Sequence, residues 1–235
     1  MSSNSESGRA LKAAFPFTIP ILTGFMFLGV AFGIFVRASG FPAIYPLIMS
    51  LFIFAGSMEF VAVSVLLAPF DPLGAFMLTL AVNARHLFYG ISMLDKFAGL
   101  GKKCPFLIFW MCDETFSVNY TATIPQGVDR GWFYLWISLL NYSYWVIASA
   151  LGGFFGSFLS FNTAGIDFVM KALFIVIFLE QWMKDRDHTS ALLGLALSLI
   201  CLVVFRDNFI IPSMIVIMVV LTLLRKKLDE VGAAI

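Results

Sequence analysis

From Phe15 to Leu224 the chain is a succession of long apolar runs separated by short polar connections. A helix needs about 20 residues to cross the hydrocarbon of a bilayer, so runs of this length decide the fold class. In lipid, backbone polar groups must be satisfied within a helix or around a closed barrel. Alternating strands of barrel length are absent, which leaves helices. The runs fall at 15–36, 43–68, 73–94, 104–123, 132–161, 166–183, 189–205 and 209–224. They predict an all-α polytopic integral membrane protein with about eight transmembrane helices. Roughly six or seven crossings follow if one or more runs is broken or re-entrant. On this reading residues 1–14 form a polar cytoplasmic tail, 15–225 the transmembrane domain and 226–235 a second cytoplasmic tail.

Composition narrows the function classes. Hydrophobic residues make up 60% of the 235 and charged residues 12%, against ~25% charged in soluble domains. One small core cannot hide that much apolar surface from water, which excludes a soluble enzyme or a disordered chain. A net charge of +1 with no basic stripe gives no nucleic-acid footprint. Cys104, Cys112 and Cys201 lie in apolar runs and read as inert buried thiols, with neither a disulfide nor a metal site. The run 15–36 is longer than a signal-peptide core and reads as a retained span. Pro16, Pro20 and Pro46 are expected in first helical turns.

Basic residues give an orientation. With eight full crossings and the N-terminus inside, Arg9, Lys12, Arg130, Lys184, Arg186, Arg225, Lys226 and Lys227 lie inside. Arg37, Lys96, Lys102, Lys103 and Arg206 lie outside. The cluster Lys96, Lys102, Lys103 is the misfit. A re-entrant 43–68 run would bring it inside and then misplace Arg225–Lys227. Gly29 and Gly33 form one small-residue pair, and Ala148, Gly152 and Gly156, beside Ser149, Gly153 and Ser157, a longer ridge. Such faces let helix backbones approach closely in lipid.

The informative residues are the ionisable ones at mid-depth. Glu59 sits in 43–68, Asn83, Arg85, His86 and Tyr89 in 73–94, and Asp113, Glu114 and Ser117 in 104–123. A charge at a helix centre costs about 2.5–3.5 kcal/mol on insertion scales, so such groups must pair or face water. One guanidinium cannot neutralise three carboxylates, so at least one carboxylate is expected to carry a proton or sit in a hydrated hollow. Asp113 and Glu114 project about 100° apart and cannot share one spot. Arg85 is expected to meet acids of the runs on either side. Gly56 before Ser57 marks a candidate break that would expose backbone groups to a ligand. Lys171 and Glu180 lie near the ends of their run, where they can snorkel. Trp132, Tyr134 and Trp136 read as an interfacial aromatic belt. The competing reading of the charges is a structural ion-pair knot.

Phosphate-loop spacing fails at Gly99-Leu-Gly-Lys-Lys103, and neither HExxH nor GxSxG occurs. The chain therefore reads as a non-enzyme without a cofactor.

Three stretches carry a resemblance: Phe54-Ala-Gly-Ser-Met-Glu-Phe60, Arg85-His-Leu-Phe-Tyr-Gly90 and Cys112-Asp-Glu-Thr-Phe116. With Asn141-Tyr-Ser-Tyr-Trp145 and Lys171-Ala-Leu-Phe174, they resemble the AzlC family, the large subunit of bacterial branched-chain amino-acid exporters. The resemblance implies a multi-pass permease of the bacterial inner membrane, exporting branched-chain or related amino acids on the proton gradient. It also implies a small hydrophobic AzlD-type partner. The family pattern often has Gln where Glu59 stands, which leaves this chain's substrate preference open.

A zwitterionic substrate needs a cation for its carboxylate and a carboxylate for its ammonium. Arg85 and one of Glu59, Asp113 or Glu114 are the expected pair, with an apolar lining for the side chain. The alternatives are a passive channel or structural subunit, and last an intramembrane enzyme using His86 and Asp113.

Overall fold

The computed structural model describes residues 3–158 and 188–206 continuously, and scattered positions within 175–183 and 209–224. Among the described residues the ordered elements are helices. They are α1 (Ser3–Ala38), α2 (Tyr45–Phe52), α3 (Gly56–Leu67), α4 (Pro72–Phe97), α5 (Cys104–Phe109), α6 (Asp113–Thr121), α7 (Arg130–Gly156) and α8 (Thr189–Phe205). Among them α1, over Glu6–Ala38, is long and apolar enough to cross a bilayer by length and composition alone; Gly56–Leu67 and Thr189–Phe205 are shorter apolar helices. The chain forms two units, residues 1–71 with 82–166 and residues 72–81 with 167–235.

The frame of the first unit is the pair α1 and α7, which run parallel. Phe17 meets Phe133, Phe25 meets Trp145, and Arg37 lies against Gly156. The two small-residue ridges meet each other. A Cβ on Gly33 would fall inside the backbone of Ser149 and Gly153, and one on Gly152 inside the carbonyl of Val30. This contact is backbone on backbone, the form of helix packing that lipid favours.

α1 begins at Ser3, so the polar N-terminal stretch is helical, with Ala10 and Ala14 fully buried and Ser7 accepting from the Trp136 indole N–H at 3.1 Å. Pro16 and Pro20 are therefore interior and not in a first turn, and the hydroxyl of Thr18 between them bonds the Phe15 carbonyl and lies 3.1 Å from Tyr144 Oη. The expected aromatic belt also divides. Trp132 and Trp136 share a face four residues apart, whereas Tyr134 points away from it and is buried against Phe97 and Phe133.

Neither 43–68 nor 104–123 is a single spanning helix. In the first, α2 starts with Pro46 against Gly153, near the Arg37 end of the frame. Its tip, Ile53–Ala55, reaches mid-depth, where the Phe54 ring meets Tyr142 at 5.0 Å. α3 then turns back, with Gly56 beside Trp145 and Phe60 against Phe32 and Phe35. In the second, Lys103 bonds Asp129 at the start of α7, and Trp110 climbs to Tyr142 at 5.4 Å. α6 descends again, bonded to Asn141 through Thr115 and to Ser138 through Asn119, until Lys96 caps the carbonyls of Asn119 and Tyr120. Each run is a helix–break–helix hairpin. The two enter from opposite ends, and their tips share Tyr142.

In the second unit, α8 exposes Leu192, Leu195, Leu199 and Val203 and buries Cys201. Just before it, the Trp182 indole stacks on His188 at 3.9 Å. Lys171 and Glu180 lie outside the described residues, as do most of 166–183 and 209–224 and the whole of 226–235.

Candidate functional site

The tips create the site because a broken helix leaves backbone groups without intrahelical partners. At the first tip Phe54 adopts φ +43°, a left-handed conformation costing a side-chain-bearing residue about 1–2 kcal/mol. Local bonds offset it. Tyr142 Oη donates to the Leu51 carbonyl at 2.9 Å, and the Ala55 N–H donates to Glu59 Oε1 at 3.2 Å. That reach of an early acidic side chain back to the N-cap resembles one arm of a capping box. At the second tip Asp113 and Glu114 occupy the first turn of α6, where the helix dipole favours carboxylates.

Arg85 of α4 joins the two hairpins. Its Nη2 donates to Ser57 Oγ, in the first turn of α3, at 2.8 Å. Its Nε lies 3.1 Å from Asp113 Oδ1, an ion pair in which the N–H is not aligned on the oxygen. Tyr89 Oη donates to the same Oδ1 at 2.9 Å, and the Tyr89 ring stacks on Phe116 at 4.3 Å. The Arg85 and Asp113 side chains keep 37% and 26% of their surface, so the pair is reachable and not a sealed knot.

Beside it His86 Nδ1 lies 3.3 Å from the Asn83 carbonyl, and Asn83 Oδ1 is buried without a hydrogen-bond partner among the described residues. His86 borders an apolar cavity of about 740 Å³ with Gly90, Met93, Phe97, Ile108 and Met111 on its walls. That volume is in the range that holds small organic ligands.

Glu59 differs from expectation. It does not pair with Arg85; its Oε1 accepts from the Trp145 indole N–H at 2.9 Å, on α7, and the side chain is fully buried. The reason is the turn itself, since Ser57 and Glu59 project about 200° apart on α3, and the guanidinium takes Ser57. Glu114 follows Asp113 in the same turn, and Ser117 lies one turn on, its carbonyl accepting from Thr121. The structure thus joins Arg85, Tyr89 and Asp113, sets Asn83 and His86 alongside, and bonds Glu59 to Trp145 of α7.

Sequence reasoning named Ser57 only beside a candidate break and Tyr142 and Trp145 only within the 141–145 stretch, and it passed over the buried ladder Thr115–Asn141 and Asn119–Ser138. The ladder was visible as polar residues four apart on α6 and three apart on the apolar α7, spacings that share a helix face.

This architecture is all-helical among the described residues, with two broken helices whose tips meet at Tyr142. Residues 20–159 match the model of a family described as AzlC protein. The branched-chain amino acid transport protein AzlC of Bacillus subtilis (strain 168) is 59% identical over 236 residues, covering 100% of this chain and 93% of that protein. An uncharacterized membrane protein of Haemophilus influenzae is 46% identical, covering 94% of this chain and 91% of its own length. The inner membrane protein YgaZ of Escherichia coli (strain K12) is 28% identical, covering 75% of this chain and 76% of its own length. No solved structure matches. The chain belongs to the AzlC family.

Proposed function

We propose that this chain is the large subunit of an exporter for branched-chain or related amino acids in the bacterial cytoplasmic membrane. It works with a small hydrophobic AzlD-type subunit and draws on the proton gradient. One observation carries the reading: a partly exposed Arg85–Asp113 pair stands where two hairpins meet, and the adjacent His86 borders an apolar cavity. Broken-helix tips at mid-membrane are how transporters present charged groups and free backbone donors to small solutes. Arg85 and the α3 N-terminus receive the substrate carboxylate, Asp113 the ammonium, and the apolar wall the side chain. The name of the Bacillus subtilis relative supports the substrate class.

Re-entrant hairpins also supply a topology. With the N-terminus inside, α1, α4 and α7 cross, and 43–68 and 104–123 do not. Arg9, Lys12, Lys96, Lys102, Lys103 and Arg130 then lie inside and Arg37 outside. The hairpin at 43–68 thereby brings the cluster Lys96, Lys102, Lys103 inside, and the hairpin at 104–123 keeps Arg130 on the same side. One proton crossing 100 mV is worth about 2.3 kcal/mol, roughly a fifty-fold gradient, enough for modest export.

Counterflow of labelled leucine or valine in proteoliposomes tests the reading. Wild type should exchange them, and Asp113→Asn, Glu114→Gln and Arg85→Ala should each weaken substrate exchange and export with insertion intact. Unchanged exchange and export in all three variants would remove the site.

A further inference from the structure

Glu59 is a buried carboxyl that the Arg85–Asp113 pair does not use. Its side chain has no exposed surface. Oε1 accepts from Trp145 Nε1 at 2.9 Å and from the Ala55 N–H at 3.2 Å, while Oε2 has no hydrogen-bond partner among the described residues. The groups around it come from every neighbouring element. α7 brings Trp145 and, one turn earlier, Tyr142, whose hydroxyl is committed to Leu51. α1 brings the rings of Phe25 and Phe32, which pack on Trp145. α4 brings Arg85, whose guanidinium stops at Ser57.

The two charge states of one buried carboxyl need different surroundings: an acid is tolerated among aromatic rings, an anion needs water or a cation. Ser57 and Glu59 share the first turn of α3, directly after the left-handed Phe54. The residue bonded to Arg85 and the residue bonded to Trp145 therefore lie two positions apart in one helical turn.

We propose that Glu59 is the proton-carrying group of this transporter, spatially separate from the substrate pair. Its Oε2 takes a proton from water on one side and returns it on the other. The first turn of α3 moves with that exchange, pivoting at Phe54 and making or releasing the Ser57–Arg85 bond. Trp145 is the positioning residue that holds Oε1. The assignment rests on the transport reading above and names the residue that couples it.

Infrared difference spectra of the reconstituted protein across a pH titration read the site without substrate. Wild type should show a carboxylic-acid carbonyl band that titrates. The band should vanish in Glu59→Gln and shift in Trp145→Phe, where Oε1 loses the indole N–H. A titrating band identical in wild type and both variants would overturn the proposal; the Trp145→Phe arm decides alone if Glu59→Gln does not insert.

In proteoliposomes, the ratio of gradient-driven uptake to counterflow should fall in Glu59→Gln. The fall should be about tenfold at a gradient of one pH unit, the accumulation that one coupled proton sustains. An unchanged ratio would overturn the coupling role. Absence of leucine movement in wild type would contradict the transport reading, while the band would still report on Glu59.

Discussion

Arg85 is the residue on which the two hairpins converge, and its energetics separate a substrate site from a brace. Removing one partner of a buried pair leaves an uncompensated charge, whereas removing both is often nearly neutral. Arg85→Gln alone should therefore lower stability in detergent more than Arg85→Gln combined with Asp113→Asn. Partial exposure of both side chains holds the coupling to about 1 kcal/mol. Thermal unfolding of the singles and the double measures it; additive losses would show that the pair does not interact. The charges of the site were legible because charge at mid-depth stands out against hydropathy. Ser57, Tyr142 and Trp145 were not, because neutral polar and aromatic residues leave no such mark until the fold shows what they touch. Glu59 was legible as a buried acid, but its partner on α7 lies 86 residues away in sequence.

Elements carry the next tests. The ridge on α1 and α7 was readable from glycine spacing, and it predicts that Gly33→Val separates the helices, since the added atoms meet backbone that has no rotamer to change. An overpacked contact of this kind costs about 1–3 kcal/mol or more, and a lowered unfolding midpoint checks it. Asp129 is the N-cap of α7. The Trp132 N–H at 2.8 Å, then Lys103, hold its carboxyl below the usual range. A depressed folded-state value means stabilisation that is present above the unfolded carboxylate value and lost as pH falls through the folded one. Asp129→Ala should cost about 0.5–1 kcal/mol near neutrality, the lower end of the cap range because the group is 46% exposed. Its deficit against wild type should shrink in acid; a deficit that grows would contradict the cap's role. The helix breaks were only half legible. Gly56 announced the first, but Trp110-Met-Cys112 carries neither Pro nor Gly, and apolar length alone reads 104–123 as one span.

At the scale of the whole molecule the account stands on two hairpins entering from opposite ends. Single cysteines at Ala98 and Gln126, on either side of α5 and α6, should then react with an impermeant maleimide from the same side of the membrane. Labelling from opposite sides would restore a full crossing at 104–123. The central claim, that the meeting point of the tips binds a zwitterionic amino acid, is tested most directly by equilibrium binding of labelled leucine to the purified protein. Loss of one charged hydrogen bond weakens binding by about tenfold or more. Wild type should bind saturably, and Arg85→Ala and Asp113→Asn should each lose at least that factor. Wild-type affinity in both variants, with both folded, would mean the pair only braces the hairpins.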